Sequence, residues 1–467
     1  MASKIFRKES LDRYLERDNR FVKTLSAFDL MALGIGAVIG TGIFILPGTV
    51  AATTSGPGII LSFLGSAVVC ALAAMCYAEF ASTLPVAGSA YSYGNVVMGE
   101  IIGWILGWAL ILEYMLAVAA VSTGWAAYFN SFIEGFGLHI PKALSGSFDP
   151  ANGTYLNLVA VLIVLAIAFL LSRGMSTSMR VNNWAVIIKI AIILVFIVVG
   201  MFYIKPSNWH PFLPYKTKGV FQGAALVFFA YLGFDAVSSS AAEVKNVKKN
   251  MPIGIIGTLI VATLLYMAVA VVLTGMVKYT KLDVANPVAF ALQSVNQNWT
   301  AGLISIGALV GMFTMMVTMI YSSSRLVYSI GRDGLLPSFL DKIDTKHKVP
   351  RNALVAVTIV IAVMGGLVPL DDLTSLVNIG TLIAFTFVSF GIIPLRRRKD
   401  IKNKGGFKVP WYPVLPIVSG LACILMLTQL KLETWIASGI WFLIGLAIYF
   451  SYGLAHSKLN RSVKQGE

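Results

Sequence analysis

About twelve apolar runs of roughly 20 residues or more divide the chain, and that length decides what it can fold into. A helix rising about 1.5 Å per residue needs about 20 residues to cross ~30 Å of hydrocarbon, whereas a barrel strand needs only about ten of alternating polarity. The runs lie near 27–53, 59–84, 98–130, 155–172, 182–204, 219–242, 252–276, 300–330, 353–369, 373–395, 411–430 and 434–454. They are too long and too evenly apolar for strands, so the fold class is an all-α polytopic membrane protein. Composition agrees, with 57% of 467 residues hydrophobic and 12% charged. Residues 1–23 are charged throughout and the first run is too long for a signal core, so no cleaved signal peptide is expected.

Basic residues set the expected orientation. With both termini cytoplasmic, 28 of the 36 Lys and Arg fall on the cytoplasmic side, seven fall outside and Lys189 lies within a span. The protein is therefore expected to be multi-pass in a plasma (inner) membrane, its basic face attracting anionic lipid. The net charge of +15 sits at helix ends, with no soluble domain to carry it, and does not indicate nucleic acid as a partner. The leading tail, residues 1–24, places Leu11, Tyr14 and Leu15 at i, i+3 and i+4, which suits either a short interfacial helix or a solvated tail. Cys70, Cys76 and Cys423 lie inside apolar runs without paired spacing or neighbouring histidines, so neither a disulfide nor a metal site is read.

Two spans carry interruptions. "GIGAVIGTGIF", residues 34–44, puts four glycines and a threonine into the first. Unpaired backbone groups in hydrocarbon cost several kcal/mol each, so such a break survives only where protein or a water-filled cavity surrounds it. A break at Gly40, Thr41 and Gly42 leaves free N–H groups at the start of the second half-helix, suited to a carboxylate, and free carbonyls around Val38, suited to an ammonium. "FFAYLGFDAVSSS", residues 228–240, interrupts the sixth span at Gly233 and Asp235. Paired interruptions five helices apart point to an inverted-repeat transporter with its substrate near the midplane. Close helix packing through small residues is the alternative use of such glycines.

"GIGAVIGTGIFILPG", "PVAGSAYSYGNVVMGE", "GWALILEY", "FFAYLGFDAVSSSAAEVKN", "MPIGIIGTLIV" and "SRLVYSIGRDGLLP" resemble, in order and spacing, segments of permeases of the amino acid, polyamine and organocation superfamily. The likeness spans residues 20–455 and is closest to bacterial members of the cationic amino acid transporter branch. It implies a leucine-transporter-like arrangement: a first repeat of five helices in 25–204, an inverted second in 219–396, two further helices in 409–455, a cytoplasmic tail in 456–467, and alternating access around helices 1 and 6. It also implies roles. Thr41, Gly42 and Ile43 would hold the substrate carboxylate through backbone N–H groups, and carbonyls of Val38, Phe229 and Leu232 would hold its ammonium.

Charges within spans are functional candidates by default, each costing at least ~2.5 kcal/mol at the midplane. Lys189, in "NWAVIIKIAIILVF", has no partner in its own helix; the resemblance implies that it replaces the sodium ion of sodium-coupled cousins by donating to carbonyls of the first break. Glu113, in "GWALILEY", is flanked by apolar residues on both sides, and desolvation disfavours its carboxylate form, the condition for a proton carrier. A permanently neutral, hydrogen-bonded acid is the alternative. Cationic members carry a small polar residue in its place, so the glutamate is a departure that favours proton coupling. Glu79 and Glu243, at cytoplasmic helix ends, are read as gate or loop contacts, for instance with Arg325 or Lys245, and Asp235 as a cap of the second half-helix. Phe228, Phe229 and Tyr231 are read as an outer gate or as ordinary packing.

A buried cationic side chain would need acidic or carbonyl partners. Met319 stands where cationic members have serine and fills volume without a strong acceptor, unless it faces another helix. The reading is proton-coupled import of small neutral amino acids such as alanine, with no cofactor beyond the coupling proton. The alternatives are transport of arginine or lysine, amino acid exchange and, remotely, a membrane enzyme or sensor. Against an enzyme, His139, His210, His347 and His456 all fall in loops or tails, and no nucleophile motif or metal-ligand set is found.

Overall fold

The computed structural model describes residues 6–8, 23–85, 89–173, 179–238, 240–344, 349–398, 401 and 406–459. The tail segment around Leu11, Tyr14 and Leu15, and most of 456–467, lie outside the described residues. Apart from isolated bridge pairs, the described chain is helices and the turns between them. The all-helical membrane class expected from the apolar runs is what they form. Seven helices among them are long and apolar enough to cross a membrane, by length and composition, and four shorter apolar helices accompany them.

In chain order the helices are α1 (Ala27–Val38), α2 (Thr41–Phe44), α3 (Leu46–Val50), α4 (Ile59–Thr83), α5 (Ser89–Tyr93), α6 (Glu100–Glu134), α7 (Leu158–Ser172), α8 (Met179–Met201), α9 (Lys216–Val227), α10 (Phe234–Ser238), α11 (Val247–Met276), α12 (Pro287–Gln293), α13 (Asn298–Arg332), α14 (Arg351–Leu367), α15 (Leu370–Arg397), α16 (Val414–Leu427) and α17 (Leu432–Ile448). The first apolar run, read as one span over 27–53, is divided into α1, α2 and α3. A wide turn at Ala51–Ser55 and a tight one at Gly56–Gly58 then carry the chain into α4.

Local chemistry sets the ends that matter. Ser26 and Asp29 cap α1 reciprocally: the Asp29 N–H donates to Ser26 Oγ at 3.3 Å, and the Ser26 N–H to Asp29 Oδ2 at 3.0 Å. The same end is tied to the chain leaving α10, where the N–H groups of Thr24 and Leu25 donate to the Glu243 carbonyl at 2.9 and 3.0 Å. The Lys245 N–H donates to the Leu25 carbonyl at 2.9 Å.

The deepest of the long helices is α6, whose most apolar window is 89% buried, and α13 and α15 pack along it. Another layer is formed by α11 against α4 and α1. At the periphery α17 is held by reciprocal indole bonds to α6: Trp108 Nε1 donates to the Trp441 carbonyl at 2.9 Å and Trp441 Nε1 to that of Trp108 at 3.2 Å. The buried indole of Trp108 and the half-buried one of Trp441 each satisfy their only donor in this way.

Glu79, at the end of α4, differs from its expected partners. Its carboxylate is clamped by Arg396 of α15, with Nε to Oε1 and Nη2 to Oε2 both at 2.7 Å, and it also accepts the Val409 N–H at 2.6 Å. Arg396 Nη2 donates further to the Val409 carbonyl, and its guanidinium lies 4.3 Å from the Tyr412 ring centre. Arg325 instead stacks on Tyr321 of its own helix. Apolar periodicity cannot reveal a partner more than 300 positions away in the chain.

Because Glu79 is only 2% exposed, Arg396→Met strands a buried carboxylate and is expected to cost about 3–5 kcal/mol, read as a lower unfolding midpoint of detergent-solubilised protein. Adding Glu79→Gln is expected to recover most of that loss. No change in the single variant would mean that the pair is solvated.

Candidate functional site

The two interruptions face each other. At the first, α1 stops at Val38, Ile39 turns extended with ψ 99°, and the chain resumes helical form at Thr41. The first N–H groups of a helix have no carbonyl one turn behind them. The Ile43 N–H turns back to the Gly40 carbonyl at 3.3 Å, and those of Thr41 and Gly42 have no main-chain partner among the described residues. At the second, α9 ends at Val227, Phe228–Tyr231 tightens into a 3-10 turn, Leu232 is extended and Gly233 takes φ +107° before α10 begins. That left-handed φ requires glycine.

Contact between the breaks is close enough to exclude a methyl group. A Cβ on Gly42 would stand 2.6 Å from Ala230 Cα, and one on Gly233 would stand 2.9 Å from Ala37 Cβ. Tyr266 of α11 bridges them, its hydroxyl lying 3.0 Å from the Val38 carbonyl and 2.6 Å from that of Ala230. One hydroxyl carries one proton, so it donates to only one of the two carbonyls at a time.

Lys189 reaches the same region from α8. Its ammonium donates to the Gly36 carbonyl at 3.1 Å and the Ile39 carbonyl at 2.8 Å while the side chain is 1% exposed. An ammonium has three donors, and among the described residues two of them are used on carbonyls that the break removes from the helical ladder.

Across the break lies a methionine face on α13. Thr41 Oγ1 donates to Met312 Sδ at 3.6 Å, and Met315 Sδ lies over Gly40. Met319, also fully buried, follows on that face roughly 10 Å further along the axis. Sequence reasoning singled out Met319 and missed the two nearer ones; the signal was the i, i+3, i+7 spacing of the three. Tyr266 had no such signal, being one aromatic in an apolar helix.

Glu113 is fully buried in α6, and neither carboxyl oxygen has a hydrogen-bond partner among the described residues. Asp235 of α10 and Thr381 of α15 are its polar neighbours. The Thr381 hydroxyl donates to the Val377 carbonyl at 3.0 Å, and its one proton can turn instead to the Glu113 carboxyl beside it. Asp235 stands in the first turn of α10, where a negative group suits the positive helix end, and its Oδ2 accepts the Tyr114 hydroxyl at 3.1 Å. Phe228 meets Phe385 edge-on, and Tyr231 donates to the Phe63 carbonyl at 3.0 Å.

Val38, Thr41, Ile43, Phe229, Leu232 and Met319 are each at most 3% exposed, so this region is closed to solvent. Glu243 is part of the link to α1 through its carbonyl and lies apart from the breaks.

A family profile described as amino acid permease matches residues 25–446. The chain is 49% identical to the methylthioribose transporter of Bacillus subtilis, over 98% of this chain and all of the relative. It is 47% identical to the branched-chain amino acid permease BcaP of the same organism, over 99% of this chain and all of the relative. Cationic amino acid transporter 1 of Arabidopsis thaliana is 36% identical over 80% of this chain and 63% of its own length.

Gly42→Ala is expected to push the breaks apart, since the methyl meets main-chain atoms of Ala230 at 2.6 Å. Overpacking of this kind costs ~1–3 kcal/mol, so binding of a labelled amino acid should weaken about tenfold or more while the elution profile stays native. Unchanged affinity would separate the Gly42–Ala230 contact from binding.

Proposed function

Because the chain belongs to the amino acid permease family, within the amino acid, polyamine and organocation superfamily, we propose that it imports neutral L-amino acids by proton-coupled symport with alternating access. Members of the family are permeases and not enzymes. The observation that carries the reading is the pair of apposed breaks, which offers main-chain donors and acceptors to a zwitterion in a closed, water-excluded place.

In this reading the substrate carboxylate accepts from Thr41 and Gly42, with Ile43 completing the turn, at the positive end of α2. Its ammonium donates to carbonyls of Val38, Phe229 and Leu232. Ala230 joins them in this reading, because whichever of Val38 and Ala230 is not served by Tyr266 needs another donor. The twelve spans form two inverted sets of five and a peripheral pair, in a plasma membrane with both termini cytoplasmic.

Glu113 loads and releases the coupling proton. Two buried carboxyl groups facing each other hold at least one proton between them, and moving Asp235 with α10 changes what Glu113 faces. Lys189 holds the first break in the absence of a sodium ion by supplying the positive charge that the carbonyls of Gly36 and Ile39 receive.

The side-chain end of the pocket is assigned to Met312, Met315 and Met319, which offer volume and weak acceptors rather than a partner for a cation. This favours neutral substrates from alanine to branched side chains, in keeping with the name of one of its relatives. The similarity to a methylthioribose transporter supports a second reading in which a thioether sugar is carried. A competition panel of neutral and cationic amino acids and methylthioribose in proteoliposomes, with and without a pH gradient, decides between them.

An imposed inward proton gradient is expected to drive accumulation, and Glu113→Gln to flatten its pH dependence; wild-type pH response in that variant would remove Glu113 from the coupling. Met319→Ser is expected to admit cationic or bulkier competitors, and an unaltered competition profile would discard that assignment.

A further inference from the structure

The polar side chains of α15 are not absorbed by the substrate site. Thr374, Asn378 and Thr381 follow at i, i+4 and i+7, one face of a helix, and all three are at most 2% exposed. Their donors are committed. Thr374 Oγ1 donates to the Asp371 carbonyl at 3.0 Å, Asn378 Nδ2 to the Ala225 carbonyl at 2.8 Å, and Thr381 Oγ1 to the Val377 carbonyl at 3.0 Å. What remains is a row of acceptor oxygens. Among the described residues Asn378 Oδ1 is buried with no partner, and the row ends at Thr381 beside the buried carboxyl of Glu113.

Each unmatched buried acceptor costs about 1–3 kcal/mol, and a succession of them is complementary only to something that donates everywhere. A protonated water does so. Neighbouring side chains on the helix stand about 5–6 Å apart, the distance that one water molecule is long enough to bridge.

We propose that this face of α15 is the path by which protons reach Glu113 from the outer side, starting at the acidic first turn of α15. The inference rests on the proton-coupled reading and its orientation. Asp371 and Asp372 stand at that first turn, with Asp283 and Lys431 acting on Asp371. Facing Glu113 are Asp235 from α10, Tyr77 from α4 and Tyr114 from its own helix, with Thr381 from α15. At the last step an O–H bond forms on a Glu113 carboxylate oxygen as one O–H bond of the protonated water breaks, leaving neutral water.

The experiment uses the full chain in proteoliposomes and measures alanine or leucine uptake against external pH, beside counterflow without a gradient. Threonine to valine exchanges a hydroxyl for a methyl of the same shape. Thr374→Val and Thr381→Val are expected to lower gradient-driven uptake by about tenfold or more, and Thr381→Ser to restore it, while Thr374→Val keeps its counterflow. Undiminished gradient-driven uptake in both valine variants overturns the path. So does loss of uptake and counterflow together without rescue by serine, which marks a packing role, or uptake driven by a sodium gradient in place of a pH gradient. Glu113→Gln keeps the two readings apart. If it abolishes pH-driven uptake while the valine variants do not, the path fails and the coupling role stands; if it changes nothing, the coupling role itself has failed.

Discussion

Main-chain polarity that helices normally hide governs this molecule. Once Val38 and Val227 cease to be followed by regular helix, N–H and C=O groups are released in a region with no water to receive them. The surrounding structure answers by supplying partners: an ammonium from α8, a hydroxyl from α11, and the close approach of one break to the other. Among the described residues it leaves unanswered the donors of Thr41 and Gly42 and a share of the carbonyls.

The partners differ in strength and reach. Lys189 is met by main-chain dipoles, a costly burial that persists because the carbonyls it meets would otherwise be orphans. Tyr266 is neutral and shared. A shared proton lets the same residue serve either helix. Glu113 lies in another layer, against α15 and α10, and connects to the breaks through the helix that carries Asp235.

The all-helical membrane class and both breaks were legible in the sequence, because apolar run length and glycine placement are local signals. "GIGAVIGTGIF" marks the division of the first run, and "FFAYLGF" marks the turn at Phe228–Tyr231 and the left-handed Gly233. The isolated lysine and glutamate stood out by cost alone. The partners did not. Glu79 meets Arg396 across most of the chain, and nothing in either neighbourhood encodes the pairing. Tyr266, Met312 and Met315 act through a common residue type in a specific place, which only packing reveals. The acceptor row on α15 was hidden for the same reason, since Thr and Asn in a helix are routinely read as back-bonding to their own turn.

The small parallel bridge between Leu25 and Val244 constrains motion as well as position. Three backbone bonds join the start of α1 to the chain leaving α10, each contributing roughly 0.5–1.5 kcal/mol. The two stubs below the breaks are therefore hinged as a single leaf, not as two independent flaps. Whatever displaces one displaces the other.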